Sequence, residues 1–183
     1  AGFCVGIIEK ENIITGANIK EGNVIIGIAS SGLHSNGFSL VRKLVPDLHE
    51  NFNGEAIWKT LLTPTALYSS IITSLVAEFK INGIAHITGG GLYENVPRII
   101  PESLCANINK NNIPQQPIFK LLQERGSIDE KEMFGTFNMG VGLVIVVENN
   151  ISDQVMHKMK QMNVNGFVLG NIISNSEHKI IIN

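Results

Sequence analysis

Two histidines stand in or beside glycine-rich stretches, and they are the residues whose type and setting could do chemistry. His34 lies in residues 30–37, Ser-Ser-Gly-Leu-His-Ser-Asn-Gly, and His86 opens residues 86–98, His-Ile-Thr-Gly-Gly-Gly-Leu-Tyr-Glu-Asn-Val-Pro-Arg. Imidazole titrates near neutrality, which makes a histidine bordering an anion site a natural proton carrier, although a histidine that only packs is the commoner case. The run Gly89-Gly90-Gly91 adds nothing to a core, and each glycine costs folding entropy. Successive bare N–H groups form a concave, partly positive surface suited to phosphate or carboxylate oxygens. A tight strand-to-helix turn that needs positive φ accounts for the same residues. Neither loop has the Gly-Lys-Ser/Thr ending of a P-loop or the Gly-x-Gly-x-x-Gly dinucleotide pattern, so a phosphate held here would need another cradle. Residues 136–142, Thr-Phe-Asn-Met-Gly-Val-Gly, form a third strand-adjacent, polar, glycine-rich segment. This recurrence favours one anion-binding cleft over three unrelated turns.

Glu94 and Asn95 follow the triple glycine by a turn of helix. They could ligand Mg²⁺ or hold a ribose hydroxyl, and a solvated first turn would look the same. Arg98 stands four residues after Glu94, the spacing of a helical ion pair; its planar fork also suits an anionic substrate group.

The elements that must position these residues alternate between strands and helices. Residues 2–9 read as a strand, and residues 23–29 as a strand covered on both faces. A helix follows from Phe38 until Pro46 stops it, and a shorter one is expected at residues 56–62. Thr63-Pro64 supplies an N-cap and a first-turn proline for an amphipathic helix carrying Leu67, Ile71, Leu75, Val76 and Phe79. Residues 84–87 form the strand before the triple glycine, whose helix is brief because Pro97 disturbs it and Pro101 closes it. Further strands are expected at 104–109, 143–147, 167–173 and 179–182, with helices at 118–125, around 129–134, and from a cap at Ser152 to about Met162. Met156, Met159 and Met162 share a helix face that packs on the core. The fold class is α+β, in α/β layers: a mixed β-sheet flanked by helices.

Composition narrows the function classes. A chain of 183 residues with 44% hydrophobic and 16% charged residues describes a well-packed domain. A net charge of −2 and a pI near 6.2 give no electrostatic footprint for nucleic acid. No apolar run approaches the roughly 18–20 residues of a membrane span. Cys4 and Cys105 lack a CxxC partner, so they read as buried free thiols in a reducing cytoplasm. The chain opens mid-pattern on Ala-Gly-Phe-Cys-Val without an initiator Met, as if cut from a larger protein.

Residues 30–42, 86–98 and 136–142, in this order, resemble the C-terminal domain of the AIR synthetase (phosphoribosylformylglycinamidine cyclo-ligase) family, and the resemblance spans essentially the whole chain. It implies residues 1–10 as the last strand of a preceding N-terminal domain and residues 11–183 as the C-terminal domain. It further implies use of ATP and Mg²⁺, formylglycinamidine ribonucleotide as substrate, and a cytoplasmic homodimer when the preceding domain is present. On this resemblance Ser31, Gly32, Ser35 and Asn36 join Thr88, Gly89, Gly90 and Gly91 in cradling phosphate. His34 and His86 carry protons or polarise the amide, Glu94, Asn95 and Arg98 meet substrate, and Asn138 lines the cleft. The family's acidic metal ligands belong to the preceding domain, so the metal ligands stay unassigned and the chain alone is expected to be inactive. The segment 30–37 is shared with formylglycinamidine ribonucleotide synthetase, selenophosphate synthetase and thiamine monophosphate kinase; residues 94–98 and 137–142 favour AIR synthetase. A rival from another class is a non-catalytic module that binds substrate or a partner.

Overall fold

The computed structural model describes Phe3 and residues 5–183. In chain order the elements are β1 (Val24–Ala29), α1 (Phe38–Leu44), β2 (Asn51–Phe52), β3 (Glu55–Ala56), α2 (Ile57–Leu61), α3 (Ser69–Glu78), β4 (Gly83–His86) and α4 (Gly91–Asn95). They continue with β5 (Leu104–Ile108), α5 (Pro117–Gly126), α6 (Glu130–Thr136), β6 (Val141–Val147), α7 (Ser152–Gln161), β7 (Gly166–Ser174) and β8 (Ile180–Ile182). A six-stranded sheet runs β4-β6-β1-β7-β5-β8. Its pairs are antiparallel except β5 with β8, which is parallel. This is the mixed sheet expected from the alternating pattern.

The central strands are apolar nearly throughout because both faces of the sheet are covered. β6 is buried along its whole length. Successive side chains point to opposite faces: Ile25, Val144 and Val146 pack with Leu92 and Phe134 on one side. On the other, Ile26, Ile28 and Ile145 meet Leu75, Val155 and Met159 from α3 and α7. A third cluster joins α1, α2, α5 and α6 around Phe137, with Val41, Ile57, Leu122 and Met133. Each such side chain, fully buried, contributes about 1.5–3 kcal/mol. No helix among the described residues is long and apolar enough to cross a membrane.

Three local expectations are corrected, and one hairpin is new. The strand expected at residues 2–9 does not join the sheet: Phe3 and residues 5–9 run without ladder partners, and Phe3 and Ile7 stand 95% and 101% exposed. Ala1, Gly2 and Cys4 lie outside the described residues, so the reading of Cys4 is not addressed; Cys105 is buried and free. Thr63-Pro64 does not start a helix, since α3 begins at Ser69 and residues 63–68 cross the surface as an irregular segment. Ser152 is the first residue of α7 rather than its cap, and its hydroxyl donates back to the Asn149 carbonyl at 2.9 Å. The small hairpin β2–β3 went unpredicted, although Asn53-Gly54 at its tip, both with positive φ, is a strong two-residue turn signal.

Candidate anion-binding cleft

Antiparallel pairing brings the three glycine-rich segments to one end of the sheet. β1 ends and β6 begins side by side, with Ala29 opposite Val141, and β4 ends with His86 opposite Leu143. The loops that follow β1 and β4 and the loop that precedes β6 therefore emerge together. Asn36 on the first loop lies close to the second: a Cβ on Gly89 would stand 3.7 Å from Asn36 Oδ1.

The first loop is locked from behind by buried polar groups. Asn138 is fully buried; its Oδ1 accepts from Ser30 Oγ (3.0 Å) and the Gly140 N–H (2.8 Å), and its Nδ2 donates to the Gly32 carbonyl (2.8 Å). Gln116 Nε2 donates to the Ser30 carbonyl at 2.8 Å. Asn138 therefore does not line the cleft, as the resemblance implied, but braces two of its loops. His34 is 5% exposed, at φ 56, and its Nε2 accepts N–H groups of Ser31 (3.1 Å) and Ala66 (3.5 Å). An imidazole accepting at Nε2 carries its proton on Nδ1, and Nδ1 is buried without a partner. Burial first, then the neighbouring His86, pushes the His34 pKa below its ordinary 6.5. The enclosed ring thus holds the first loop to the segment around Ala66. Ser31 Oγ donates to the Pro64 carbonyl at 2.7 Å, which straps residues 63–68 over the loop. Ser31 and Ser35 are exposed, Asn36 is half-buried and Gly32 is buried.

The second loop is open toward the cleft. The N–H groups of Thr88, Gly89 and Gly90 donate to no protein acceptor among the described residues. Asn95, 3% exposed, holds the loop from inside: its Nδ2 donates to the Gly91 (2.8 Å) and Gly89 (3.1 Å) carbonyls, and Thr88 Oγ1 donates to its Oδ1 (3.2 Å). Its amide thus braces the loop, although the residue also borders the hollow beside His86. The three glycines are not equivalent. Gly91, at φ 55, approaches α6 so closely that a Cβ would lie 2.0 Å from the Phe134 carbonyl oxygen; Gly90, at φ 86, would meet the Glu94 carboxylate at 2.2 Å. Only Gly89 combines an exposed position with room for a side chain.

His86 is exposed at the end of β4 and shares a shallow hollow with Thr88, Asn95 and Arg98. Glu94 points elsewhere, into a hollow with Asp129 and Lys131. The expected Glu94–Arg98 ion pair is absent among the described residues, because α4 tightens into a 3₁₀ turn at Val96–Ile99 and the four-residue offset no longer shares one face. Beneath His86 lies Tyr68, which the sequence reading missed; the ring centroids are 5.8 Å apart at 64°. The signal that could have found it is Gly142, a glycine inside the most β-prone run, which marks close approach by another group. No group of three or more His, Cys, Asp or Glu side chains that could hold a metal exists among the described residues.

Residues 20–183 match the family described as AIR synthase related protein, C-terminal domain. Phosphoribosylformylglycinamidine cyclo-ligase of Clostridium perfringens is 49% identical over 178 residues, covering 97% of this chain and 53% of the relative. That of Clostridium tetani is 46% identical over 182 residues, covering 100% and 54%. The chain thus spans about half the length of the curated relatives it matches. Among solved structures, hydrogenase maturation protein HypE in complex with ATP superposes with a TM-score of 0.67 at 14% identity, covering 96% of this chain and 51% of that one. Thiamine-monophosphate kinase from Stenotrophomonas maltophilia does so at 0.64 and 13%, covering 96% and 54%; these likenesses show a shared fold. With its three loop motifs inside the matched span, the chain belongs to the AIR synthase related protein C-terminal domain family.

Proposed function

We propose that this chain is the C-terminal half of a phosphoribosylformylglycinamidine cyclo-ligase, which converts formylglycinamidine ribonucleotide to aminoimidazole ribonucleotide with release of ADP and phosphate. The observation that carries the proposal is that the sheet brings the loop of Ser31 and Ser35 and the loop of His86 to one end, where Asn36 approaches Gly89 and the N–H groups of Thr88, Gly89 and Gly90 have no acceptor among the described residues. The relatives at 46–49% identity supply the substrate. In the reaction ATP delivers a phosphoryl group to the amide oxygen of the substrate, and a nitrogen of the same molecule closes the ring.

This chain's part in that reaction is to bind, orient and move protons. Aligned N–H groups fit the oxygens of a phosphate and stabilise charge developing on a transferred phosphoryl group without reorganising. Holding two reacting groups together can remove several kcal/mol of barrier, on the order of 7–11 kcal/mol in the best model systems. His86, exposed and sharing a hollow with Thr88 and Arg98, takes the proton-transfer role. His34, Asn138 and Asn95 hold the walls in place.

The donor set does not fit Mg²⁺: Glu94 stands away from His86, and no three candidate ligands converge among the described residues. No step is routed through the metal here, and its ligands are assigned to the half of the longer relatives that precedes this span. Residues 1–10 are proposed as the last strand of that half, paired only when it is present. Homodimerisation and a cytoplasmic setting belong to the same proposal.

The test is ATP-dependent ring closure by the two-domain protein and by this chain alone. Turnover by the two-domain protein only is expected. A folded two-domain protein that binds the ribonucleotide but does not cyclise it would sink the proposal.

A further inference from the structure

Tyr68 spans the space between the two walls, and no step of the proposed reaction uses it. Its ring stands edge-on to His86 at 5.8 Å and is tilted against His34 at 6.2 Å. Its hydroxyl donates to the Ala29 carbonyl at 3.0 Å, at the end of β1 where the first loop begins. The residue is 8% exposed, and burial pushes its phenol up to about 12, which keeps it a neutral donor. Tyr68 also ends the irregular segment 63–68, whose other end is tied to the first loop through Ser31 Oγ to Pro64 and Ala66 N–H to His34. β6 makes way for it: a Cβ on Gly142 would lie 1.7 Å from the Tyr68 hydroxyl oxygen. The hydroxyl thus fixes the ring to the loop-bearing strand, and the absence of a side chain at Gly142 leaves room for it there.

We infer that Tyr68 is a positioning residue for His86. Its ring sets the orientation of the exposed imidazole, and its hydroxyl ties that orientation to β1. The first wall cannot shift without moving the histidine on the second. The catalytic consequence rests on the cyclo-ligase reading, whereas the geometric one does not.

Nuclear magnetic resonance on the 183-residue chain tests the geometry. Nuclear Overhauser contacts between the Tyr68 and His86 ring protons are expected in the unsubstituted chain. Tyr68→Leu should move the His86 ring-proton resonances toward those of a histidine with no aromatic neighbour, while Tyr68→Phe, which keeps the ring but loses the tie to β1, moves them part of the way. In the two-domain enzyme Tyr68→Leu is expected to lower kcat by on the order of tenfold or more with KM for ATP changed less than about twofold, and Tyr68→Phe to lower kcat by a smaller factor, on the order of threefold. Missing Overhauser contacts overturn the inference even if Tyr68→Leu does not fold. Identical His86 resonances in all three proteins overturn it even if activity falls. If contacts and resonances behave as stated but His86→Ala cyclises at the normal rate, the positioning stands and the proposed role of His86 fails.

Discussion

The loops after β1 and β4 look alike in composition, yet they are built in opposite ways. The first is pinned by side chains from distant parts of the chain, the buried Asn138 and the half-buried Gln116, and by its own enclosed His34. The second is held by one asparagine seven residues from its start and leaves three N–H groups unspent. One wall is rigid and closed, the other supported from behind and open in front. A glycine-rich segment thus carries two separable demands, close packing and free backbone, and they fall on different residues.

The sharpest way to break that distinction lies within the triple glycine. Gly91→Ala pairs a positive φ with a Cβ 2.0 Å from the Phe134 carbonyl oxygen; strain and overpacking together should cost on the order of 3–5 kcal/mol. Gly89→Ala should change stability by about 0.5 kcal/mol or less yet weaken ATP binding in the two-domain protein, because its Cβ enters the open side. Denaturant unfolding and titration calorimetry measure the two effects. Equal destabilisation by both would erase the difference between packing and cleft glycines. The asparagines come next. Asn138→Ala strands the Gly32 carbonyl and the Gly140 N–H, at a cost of about 3 kcal/mol. Asn95→Ala, on the open wall, should cost about 1–2 kcal/mol, since water can reach part of what it holds.

The histidines sharpen the comparison in function. His86→Ala should lower turnover of the two-domain enzyme on the order of a hundredfold with little loss of stability. His34→Ala should instead lose about 2 kcal/mol of stability, because the Ser31 and Ala66 N–H groups lose their acceptor. The reverse pattern would return the proton-carrier role to His34.

Much of the fold was legible because its signals are local. Residues 23–29 and 143–147 are apolar runs bounded by polar turns, and strands covered on both faces read that way. The loops were found because glycine has few other uses beside a strand. What escaped depends on partners far along the chain. Thr63-Pro64 is a sound helix start by local rules, but Ser31 and His34 claim the backbone of residues 64–66, and no propensity encodes a contact 32 or 33 residues away. Asn36, Asn95 and Asn138 all stand in glycine-rich company, and only burial separates the one at the cleft from the two that brace it. Glu94 and Arg98 have helical spacing but lie on either side of a change of helix type. Tyr68 announces itself only through the glycine it requires on another strand.

The smallest predicted effect probes the closed wall by itself. With the folded-state pKa of His34 held below its ordinary 6.5, the unfolded chain takes up this proton before the folded chain does. Stability from the neutral ring is therefore fully present above about pH 6.5 and is lost as pH falls toward and through the lowered value. His34→Asn tolerates the positive φ and does not titrate, so it should be less stable at neutral pH but lack this slope. The other histidines, His49, His86, His157 and His178, are exposed and present in both proteins, so the difference between the two curves reports His34 together with its coupling to His86. Unfolding free energies from about pH 8 to about pH 5 measure it. Parallel curves would mean that His34 is free to take a proton in the folded chain. The first wall would then be as open as the second, and the contrast between them would reduce to Asn138 alone.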